Sequence, residues 1–285
     1  MKTLGVIANT RKEQAAAVLQ RLLVKAVELG VKIVPDQATA GLLGLRGETL
    51  SRDALRTVEA VMVLGGDGTM LRAVRELDGL DIPVIGVNLG SLGFMTSVAE
   101  KDLERGLECL VRRDYTLSLR EMMDCSTRRG NARSVRYRAL NDMVMTALST
   151  RVVTLRMRVD GEDVGDFVCD GLIVSTPTGS TGHSLSAGGP VLLPAARAFV
   201  VSLICPHTLS TRPLVLPDDA RIEVQVVRSV GDVALAADGQ VSESLKEGDI
   251  VEVSRSAQGV RFIHLPGYSY FAVLRQKLHW RGTNV

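Results

Sequence analysis

The feature that most constrains the fold is an apolar run that ends in a glycine-rich turn around one carboxylate. Val61 to Leu64 is apolar and partly β-branched, and Gly65-Gly66-Asp67-Gly68-Thr69 follows it directly. Such a run predicts a buried strand that enters a tight turn, and Thr69 to Leu77 continues as a predicted helix. Glycines let backbone N–H groups approach a ligand closely, and a helix N-terminus attracts anions. The string therefore predicts a phosphate-binding turn.

Asp67 is unusual in such a turn, because a carboxylate repels phosphate unless it has a task of its own. Proton abstraction is one such task. The alternative is that Asp67 caps the helix that follows, which is the expected role of an acid in an isolated Gly-Asp-Gly turn. The complete string behind a strand favours a catalytic role over a cap.

Residues 1–116 alternate predicted strands with predicted helices, which indicates a Rossmann-like α/β domain with a parallel sheet. The predicted strands are Leu4 to Ala8, Val31 to Val34, Val58 to Leu64 and Ile82 to Val87. A stretch with glycines at 41, 44 and 47 is predicted to be a loop. A second glycine-rich turn, Asn88 to Phe94, follows the last of these strands, where open α/β sheets bind ligands. A plain glycine-rich connection is the alternative interpretation of that turn.

Residues 117–265 carry the pattern of many short strands and little helical periodicity, which predicts a β-sandwich-like domain. Arg151 to Val159 alternates apolar and polar residues, and Ile250 to Val253 and Val260 to Ile263 are predicted to form a strand pair. Residues 266–285 contain a predicted helix, Tyr270 to Leu278, which we expect to return to the first domain. The predicted fold class is thus α/β plus all-β.

A second polar constellation lies in the β-rich part, between Asp170 and Pro190. It combines small hydroxyl residues and glycines after the apolar run Leu172 to Val174. This composition packs poorly but suits hydrogen bonding to sugar hydroxyls and phosphates. Asn141-Asp142 and Asp238-Gly239-Gln240 add amide and carboxylate groups, although each alone is typical of a turn.

Composition excludes several classes of protein. The 34 basic and 32 acidic residues leave a formal net charge of +2, too balanced for a nucleic-acid-binding surface. The 4 cysteines and 4 histidines have no metal-ligand spacing, so we expect no protein-held metal. No apolar run approaches the roughly 18 residues of a membrane span and no signal-peptide pattern is present, so a cytoplasmic protein without membrane or nucleic-acid partners is expected.

Taken together, these strings closely resemble the NAD kinase family, over most of the chain. The two strings Gly-Gly-Asp-Gly-Thr at 65–69 and Ser-Thr-Pro-Thr-Gly-Ser-Thr at 175–181 are specific as a pair. The first alone also occurs in diacylglycerol-kinase-like and phosphofructokinase-like enzymes. The other matching segments are 88–94, 141–142, 205–210 and 238–240. A lipid or sugar kinase that shares the first string, and a non-catalytic dinucleotide-binding regulator, are the alternative functions.

The resemblance implies transfer of the γ-phosphoryl of ATP, or of another phosphoryl donor such as polyphosphate, to the 2′-hydroxyl of the adenosine ribose of NAD, giving NADP. Asp67 matches the family's catalytic aspartate, and Gly65, Gly66, Gly68 and Thr69 would hold phosphates. Magnesium is expected to arrive with ATP, coordinated mainly by phosphates and water. The family also implies a homodimer or homotetramer.

The resemblance assigns further residues to NAD and phosphate binding. Asn141 and Asp142 would address the adenosine part of NAD, and Asp170 its nicotinamide end. Arg72 and Arg151 would supply positive charge to phosphate. The remaining expected contacts are Asn88, Thr181, Gly182, His183, Ser184, Leu185, Ser186 and Gln240.

Two positions depart from the family pattern. The family usually has Asn-Glu where this chain has Asn141-Asp142, and Thr-Ala-Tyr where it has Thr181-Gly182-His183. Asp142 reaches one methylene less than glutamate, and His183 replaces a phenol with a smaller ring that still stacks or donates. We therefore expect altered NAD affinity with retained chemistry.

Overall fold

The chain forms two compact units in a computed structural model that describes residues 1–90, 93–130, 132–149, 151–208 and 210–280, without the side chains of 132–135 and 241–242. The first unit combines Met1–Leu119 with the chain from Val260 on, and the second is Arg120–Gly259. Ser91 and Leu92 of the second glycine-rich turn, and Leu209 of the segment 205–210, lie outside the described residues.

The first unit is built on a seven-stranded sheet in the order β2-β1-β3-β4-β19-β6, with β5 beside β4. Its strands are β1 (Thr3–Ala8), β2 (Lys32–Pro35), β3 (Ala60–Gly65), β4 (Val84–Asn88), β5 (Val98–Ala99), β6 (Thr116–Arg120) and β19 (Val260–His264). β1 is parallel to β2 and β3, and β4 is parallel to β3, β5 and β19. The predicted parallel α/β sheet is confirmed, and β3 and β4 end side by side.

Helices cover this sheet. They are α1 (Ala15–Glu28), α2 (Gln37–Leu43), α3 (Arg52–Leu55), α4 (Asp67–Leu77), α5 (Leu103–Arg112) and α7 (Tyr270–Lys277). α1 buries one stripe, including Val18, Leu19 and Leu22, in a core shared with Met62 of β3 and Leu107 of α5. Apolar residues at this helical spacing explain why the segment folds as predicted.

The glycine-bearing stretch after β2 is not a loop throughout, as the sequence suggested, because α2 occupies Gln37–Leu43. Asp36 caps this helix by accepting a hydrogen bond from the Thr39 N–H at 3.0 Å. Gly44 ends it with a left-handed φ of 63°. The two caps outweigh the low helix propensity of Gly41.

The second unit is a sandwich of two six-stranded sheets. The first sheet has the order β11-β10-β15-β18-β7-β8 and the second has the order β14-β13-β12-β9-β16-β17. The strands of the first are β7 (Met123–Arg129), β8 (Ala132–Ala139), β10 (Val153–Val159), β11 (Glu162–Cys169), β15 (Ile222–Arg228) and β18 (Ile250–Arg255). Those of the second are β9 (Asp142–Ala147), β12 (Gly171–Ser175), β13 (Ala198–Ile204), β14 (Leu214–Pro217), β16 (Val233–Ala237) and β17 (Val241–Leu245).

The inward residues of both sheets of the second unit form a single core. It includes Leu155 and Val224 from one sheet and Met145, Leu172 and Phe199 from the other. Alternation along β10 places every second residue in this core, as the sequence predicted. A 3₁₀ turn at Gly179–Thr181 and the short helix α6 (His183–Ser186) follow β12.

One predicted strand pair is wrong. Val260 to Ile263 was expected beside Ile250 to Val253, but β18 pairs with β15 and β7, whereas β19 joins the sheet of the first unit through Phe262 opposite Val84. Both segments are apolar and of strand length, and such local patterns do not specify the partner strand. Among the described helices, none is long and apolar enough to span a membrane.

A substitution at Gly171 tests the packing of β12 against β9, on which the position of the second polar constellation depends. A Cβ at this position of β12 would lie 2.2 Å from the carbonyl oxygen of Met145 on β9. Gly171→Ala is therefore expected to destabilise the protein by about 1–3 kcal/mol, because backbone must move. Thermal unfolding followed by circular dichroism measures this loss.

Gly41→Ala is the matched control, since nothing lies within 4 Å of a Cβ at that helical position. It is expected to be neutral or stabilising by about 0.5–1 kcal/mol. Equal unfolding temperatures for Gly171→Ala and the parent protein would contradict the close approach of β12 to β9.

Candidate functional site

Asp67 joins the two glycine-rich turns of the first unit. Gly66 is the N-cap of α4, and no side chain caps that helix. The Asp67 side chain instead accepts hydrogen bonds from the N–H groups of Phe94, at 2.9 Å to Oδ2, and Met95, at 2.9 Å to Oδ1. In this structure Asp67 is therefore not the cap of its own helix, which removes the structural alternative left open by the sequence.

The second turn is shaped to receive this carboxylate. A Cβ on Gly93 would lie 2.0 Å from Oδ1 of Asp67, so only glycine fits there. The Thr96 hydroxyl oxygen accepts hydrogen bonds from the Gly93 N–H and from the side-chain amide of Asn88, both at 3.0 Å. Asn88, which we expected to contact a ligand, thus also fixes the backbone around Asp67.

A cleft of about 490 Å³ lies beside the first turn, within the first unit. Gly66 and Gly68 line it, and a Cβ on either would meet nothing within 4 Å. Gly65 differs, because its Cβ would lie 2.3 Å from the hydroxyl of Thr69. Gly65 is therefore required for packing, whereas Gly66 and Gly68 leave backbone open to a ligand in the cleft.

The other wall of the cleft comes from the segment after β1 and includes Arg11 and Lys12. Both side chains are exposed, and in the described ranges neither makes a hydrogen bond or ion pair. Lys12 extends toward the second turn, since its Nζ would be 3.9 Å from a Cβ on Gly90. Two cations thus face the cleft that Gly66 and Gly68 leave open.

Arg72 lines the same cleft but is already engaged in structural contacts. Its guanidinium lies 2.9 Å from the carboxylate of Asp36 and donates to the carbonyl of Ala8 at 2.9 Å. Glu76 lies 3.5 Å from it as well. The guanidinium therefore ties α4 to β1 and to the cap of α2, and its charge is shared with two carboxylates.

In the second unit, Asp238 organises the residues around Asn141. Its carboxylate accepts hydrogen bonds from three consecutive N–H groups, those of Leu140 at 3.0 Å, Asn141 at 2.7 Å and Asp142 at 3.3 Å. A Cβ on Gly179 would lie 2.1 Å from the Asn141 carbonyl oxygen. The start of β9 is thus clamped between the turn after β16 and the 3₁₀ turn after β12.

This clamp leaves buried polar atoms without partners in the part of the chain that the structure describes. They are Oδ1 of Asn141, Oδ1 of Asp142 and Oγ1 of Thr178. Buried polar groups are nearly always hydrogen-bonded, and each orphan is costly. Two of these atoms are acceptors only, so the arrangement is suited to a ligand that presents N–H or O–H donors.

Asp142 is the most buried of these groups, at 1% exposed. Burial raises the pKa of its carboxyl to about 6, against the opposing effect of nearby His183. Nδ1 of His183 lies 3.2 Å from Oδ2 of Asp142. The residues of α6 and of β9 are therefore in direct contact.

The remaining predicted residues fall in several places. Thr181 and Gly182 adjoin His183, and Ser184 is buried with its hydroxyl 3.1 Å from that of Ser202. Leu185 is half-buried and Ser186 exposed on the same short helix. Asp170 is exposed between β11 and β12, Gln240 follows the Asp238-Gly239 turn, and Arg151 is exposed before β10. In the described residues no group of three His, Cys, Asp or Glu side chains could hold a metal ion.

Both units of the chain match known protein families. Residues 4–115 match the ATP-NAD kinase N-terminal domain family and residues 140–265 the ATP-NAD kinase C-terminal domain family. A relative named NAD kinase from Gemmatimonas aurantiaca is 38% identical over 98% of this chain and 96% of its own length. One from Koribacter versatilis is 39% identical over 98% and 99%.

Solved structures share the fold. A yeast NADH kinase complexed with NADH has a TM-score of 0.91 at 22% identity and covers 100% of this chain and 89% of its own. An NAD kinase from Archaeoglobus fulgidus in complex with ATP has a TM-score of 0.77 at 24% identity over 98% and 100%. The relatives at 36–39% identity favour neither the lipid or sugar kinase nor the non-catalytic regulator.

Sequence reasoning gave no individual role to five residues that the structure brings into these sites: Arg11, Lys12, Gly93, Thr178 and Asp238. Arg11 and Lys12 had a usable signal, since they follow β1 at the same edge of the sheet as Asp67. Gly93, Thr178 and Asp238 lie in strings that the sequence did mark, but their individual roles depend on contacts with residues far away in sequence.

The buried carboxylate of Asp142 gives a pH-dependent test. A pKa near 6 in the folded protein, against 3.8 for the ordinary side chain, means that the folded state holds the proton more tightly. The stability of the parent protein therefore falls as pH rises from about 4 to 6. Asp142→Asn is expected to be more stable than the parent by roughly 2 kcal/mol at pH 7.5 and similar to it near pH 4, measured by denaturant unfolding.

Asp166→Asn is the control, because Asp166 is exposed and its hydrogen bonds with Arg156 lower the pKa of its carboxyl. This variant is expected to be no more stable than the parent at neutral pH. If Asp142→Asn is less stable than the parent at pH 7.5, then Asp142 is not an ionised carboxylate that lacks a hydrogen-bond partner.

Proposed function

The chain belongs to the NAD kinase family and phosphorylates NAD, and we propose that Asp67 is the base that takes the proton from the attacking hydroxyl. The 2′-oxygen of the adenosine ribose forms a bond to the γ-phosphorus of the donor, and its proton passes to Asp67. The bond from that phosphorus to the bridging oxygen breaks, which releases ADP when ATP is the donor and leaves NADP.

The geometry of Asp67 supports this role. A ribose hydroxyl is a poor nucleophile near neutral pH, so a carboxylate within hydrogen-bond reach both orients it and accepts its proton. Each carboxylate oxygen of Asp67 accepts one backbone N–H, which leaves lone pairs for the hydroxyl. The two N–H groups also hold the carboxylate in one orientation, because it bridges two turns.

We propose that the donor's phosphates lie in the cleft lined by Gly66, Gly68, Arg11 and Lys12. Open backbone at a helix N-terminus and unpaired cations both favour a polyanion. Thr69 adds a hydroxyl, Gly65 shapes the turn, and Arg72 contributes a charge that it shares with Asp36. A triphosphate and a longer polyphosphate chain present the same chemistry to this cleft. A divalent cation such as magnesium would arrive on those phosphates and offset their charge.

We propose that the β-rich domain, which the structure bounds at Arg120–Gly259 where the sequence predicted 117–265, binds the dinucleotide. The unpartnered acceptors of Asn141 and Asp142 are suited to the amino and hydroxyl donors of adenosine. The other residues proposed to contact NAD are Asn88, Arg151, Asp170, Thr181, Gly182, His183, Ser184, Leu185, Ser186 and Gln240. We also propose that the protein is a cytoplasmic homodimer or homotetramer.

Asp67→Asn tests the proposed base. The amide still accepts and donates hydrogen bonds but takes up no proton, so kcat is expected to fall by about 100-fold to 10,000-fold. The NAD dissociation constant, measured by calorimetric titration, is expected to change little. Turnover is followed with NAD, ATP and magnesium by NADP formation.

Asp78→Asn is the matched control at the other end of α4, where Asp78 is exposed. Its kcat is expected to match that of the parent. A folded Asp67→Asn variant that keeps more than a tenth of the parent kcat would show that Asp67 is not the base.

Lys12→Ala tests the donor cleft. Loss of an unpaired ammonium beside the phosphates is expected to raise the KM for ATP by about tenfold, in line with a charge-assisted hydrogen bond. The NAD dissociation constant is expected to stay the same. Steady-state kinetics at saturating NAD give both donor constants.

Lys101→Ala serves as control, because Lys101 is an exposed lysine of the same unit outside the cleft. If Lys12→Ala has the same KM for ATP as the parent, the donor's phosphates do not lie in this cleft, whatever the control variant shows.

A further inference from the structure

Asp142 and His183 contact each other, although they come from different elements of the second unit. They are 41 residues apart in sequence, yet Nδ1 of His183 lies 3.2 Å from Oδ2 of Asp142. The imidazole is therefore the side-chain partner of a buried acid.

The contact has a fixed geometry. Asp142 is at the start of β9 and its side chain is 2% exposed, whereas the His183 side chain is 62% exposed on α6. Gly182 lies beside the pair, since its Cβ would be 3.8 Å from Oδ2 of Asp142. Gly239 approaches from the other side, with its Cβ position 3.9 Å from Cε1 of His183. The imidazole is thus held between its own helix and the Asp238-Gly239 turn.

The other oxygen of the carboxylate is unused. Oδ1 of Asp142 is buried and has no hydrogen-bond partner among the described residues, as is also true of Oδ1 of neighbouring Asn141. With Oδ2 held by the imidazole, the carboxylate cannot rotate to satisfy Oδ1 without losing its bond to His183. Oδ1 is therefore left for a donor that the described residues do not supply.

We propose that His183 is a positioning residue for Asp142, and that the two residues act as one unit in which the imidazole holds Oδ2 while Oδ1 accepts a hydrogen bond from an amino or hydroxyl group of the bound dinucleotide. This inference rests on the proposed role of the β-rich domain in NAD binding. The geometry gives each residue its part: the imidazole fixes one oxygen of the acid, and the other oxygen remains for the ligand.

The charges around Asp142 make the unit sensitive to pH. His183 faces it from α6 and favours the ionised carboxylate, whereas Asp238, from the turn after β16, opposes ionisation. The neighbouring strand β12 presents Ser175, which is not titratable and donates its hydroxyl hydrogen to the Thr176 carbonyl. The pKa of Asp142, near 6, therefore depends on His183, and losing the imidazole raises it further.

A double-mutant cycle tests whether the pair acts as a unit. His183→Phe removes the donor and keeps a ring, and Asp142→Asn removes the charge with the same shape. Each single change is expected to weaken NAD binding about tenfold at pH 7.5, and the double variant to be no more than about threefold weaker than either single variant. Independent roles would instead give losses that multiply to about 100-fold, which would overturn the proposal.

His183→Asn is the conservative rescue, because its side-chain amide returns an N–H donor toward Asp142 in place of the imidazole. It is expected to bind NAD at least threefold more tightly than His183→Phe. Equal affinities for the two variants would mean that the ring, and not the hydrogen bond, matters at position 183.

The pH dependence of NAD binding distinguishes the proposed positioning role of His183 from a purely structural role, which would leave this dependence unchanged. NAD affinity of the parent protein is expected to fall below about pH 6, as Asp142 takes up a proton, and the midpoint to move to higher pH in His183→Phe. Asp142→Asn is expected to show no such transition. A parent profile that is flat between pH 5 and 8, or the same midpoint in His183→Phe, would overturn the proposal.

These outcomes are separable from failure of the proposed function. If the β-rich domain does not bind NAD, Gln240, Asp170 and the pair would all be irrelevant, and every variant would bind NAD like the parent. If NAD binds there but the pair is not a unit, the single variants still weaken binding and their effects multiply.

Discussion

Two backbone N–H groups, those of Phe94 and Met95, hold the carboxylate on which the first unit is centred. They reach Asp67 because β3 and β4 are adjacent and parallel, so the turns that follow them meet at one edge of the sheet. Gly93 allows this approach, since any side chain there would occupy the space of the carboxylate. The position of the Asp67 carboxylate therefore depends on the sheet order and on both turns. A shift in any of these would displace the carboxylate.

The second unit uses two carboxylates, that of half-buried Asp238 and that of buried Asp142, in opposite ways. Asp238 is fully used within the chain, because it accepts three consecutive N–H groups and so fixes the start of β9. Asp142, at that same start, keeps one oxygen without a described partner, and burial raises the pKa of its carboxyl. The first carboxylate holds three backbone N–H groups in place, whereas the second is expected to destabilise the fold at neutral pH and is the proposed binding group. Such a division is common where a rigid scaffold carries a functional site.

Local patterns in the sequence predicted several elements correctly and marked Asp67 as a candidate, but they missed helix α2 and everything that distant contacts decide. The strand before Gly65, the helix α4 and the alternating strand β10 each follow from a periodicity within one segment. The pairing of β19 with β4 does not, because an apolar strand carries no mark of its partner. The resemblance assigned Arg72 to phosphate, but it did not predict that the Asp36 carboxylate and the Ala8 carbonyl, both distant in sequence, share its guanidinium.

The charges around the first glycine-rich turn explain how an acid can lie in a turn that is predicted to bind phosphate. The negative charge of Asp67 is met by two N–H dipoles from the second turn, so it does not rely on Arg72 or Lys12 for compensation. Arg72 is paired with Asp36, while Arg11 and Lys12 make no ion pair within the described residues. Arg11 and Lys12 are thus available to the proposed phosphoryl donor, and Asp67 to the proposed proton transfer. A turn that only bound phosphate would not need a carboxylate held by two N–H groups. A carboxylate that capped α4 would accept hydrogen bonds from α4 and not from the second turn.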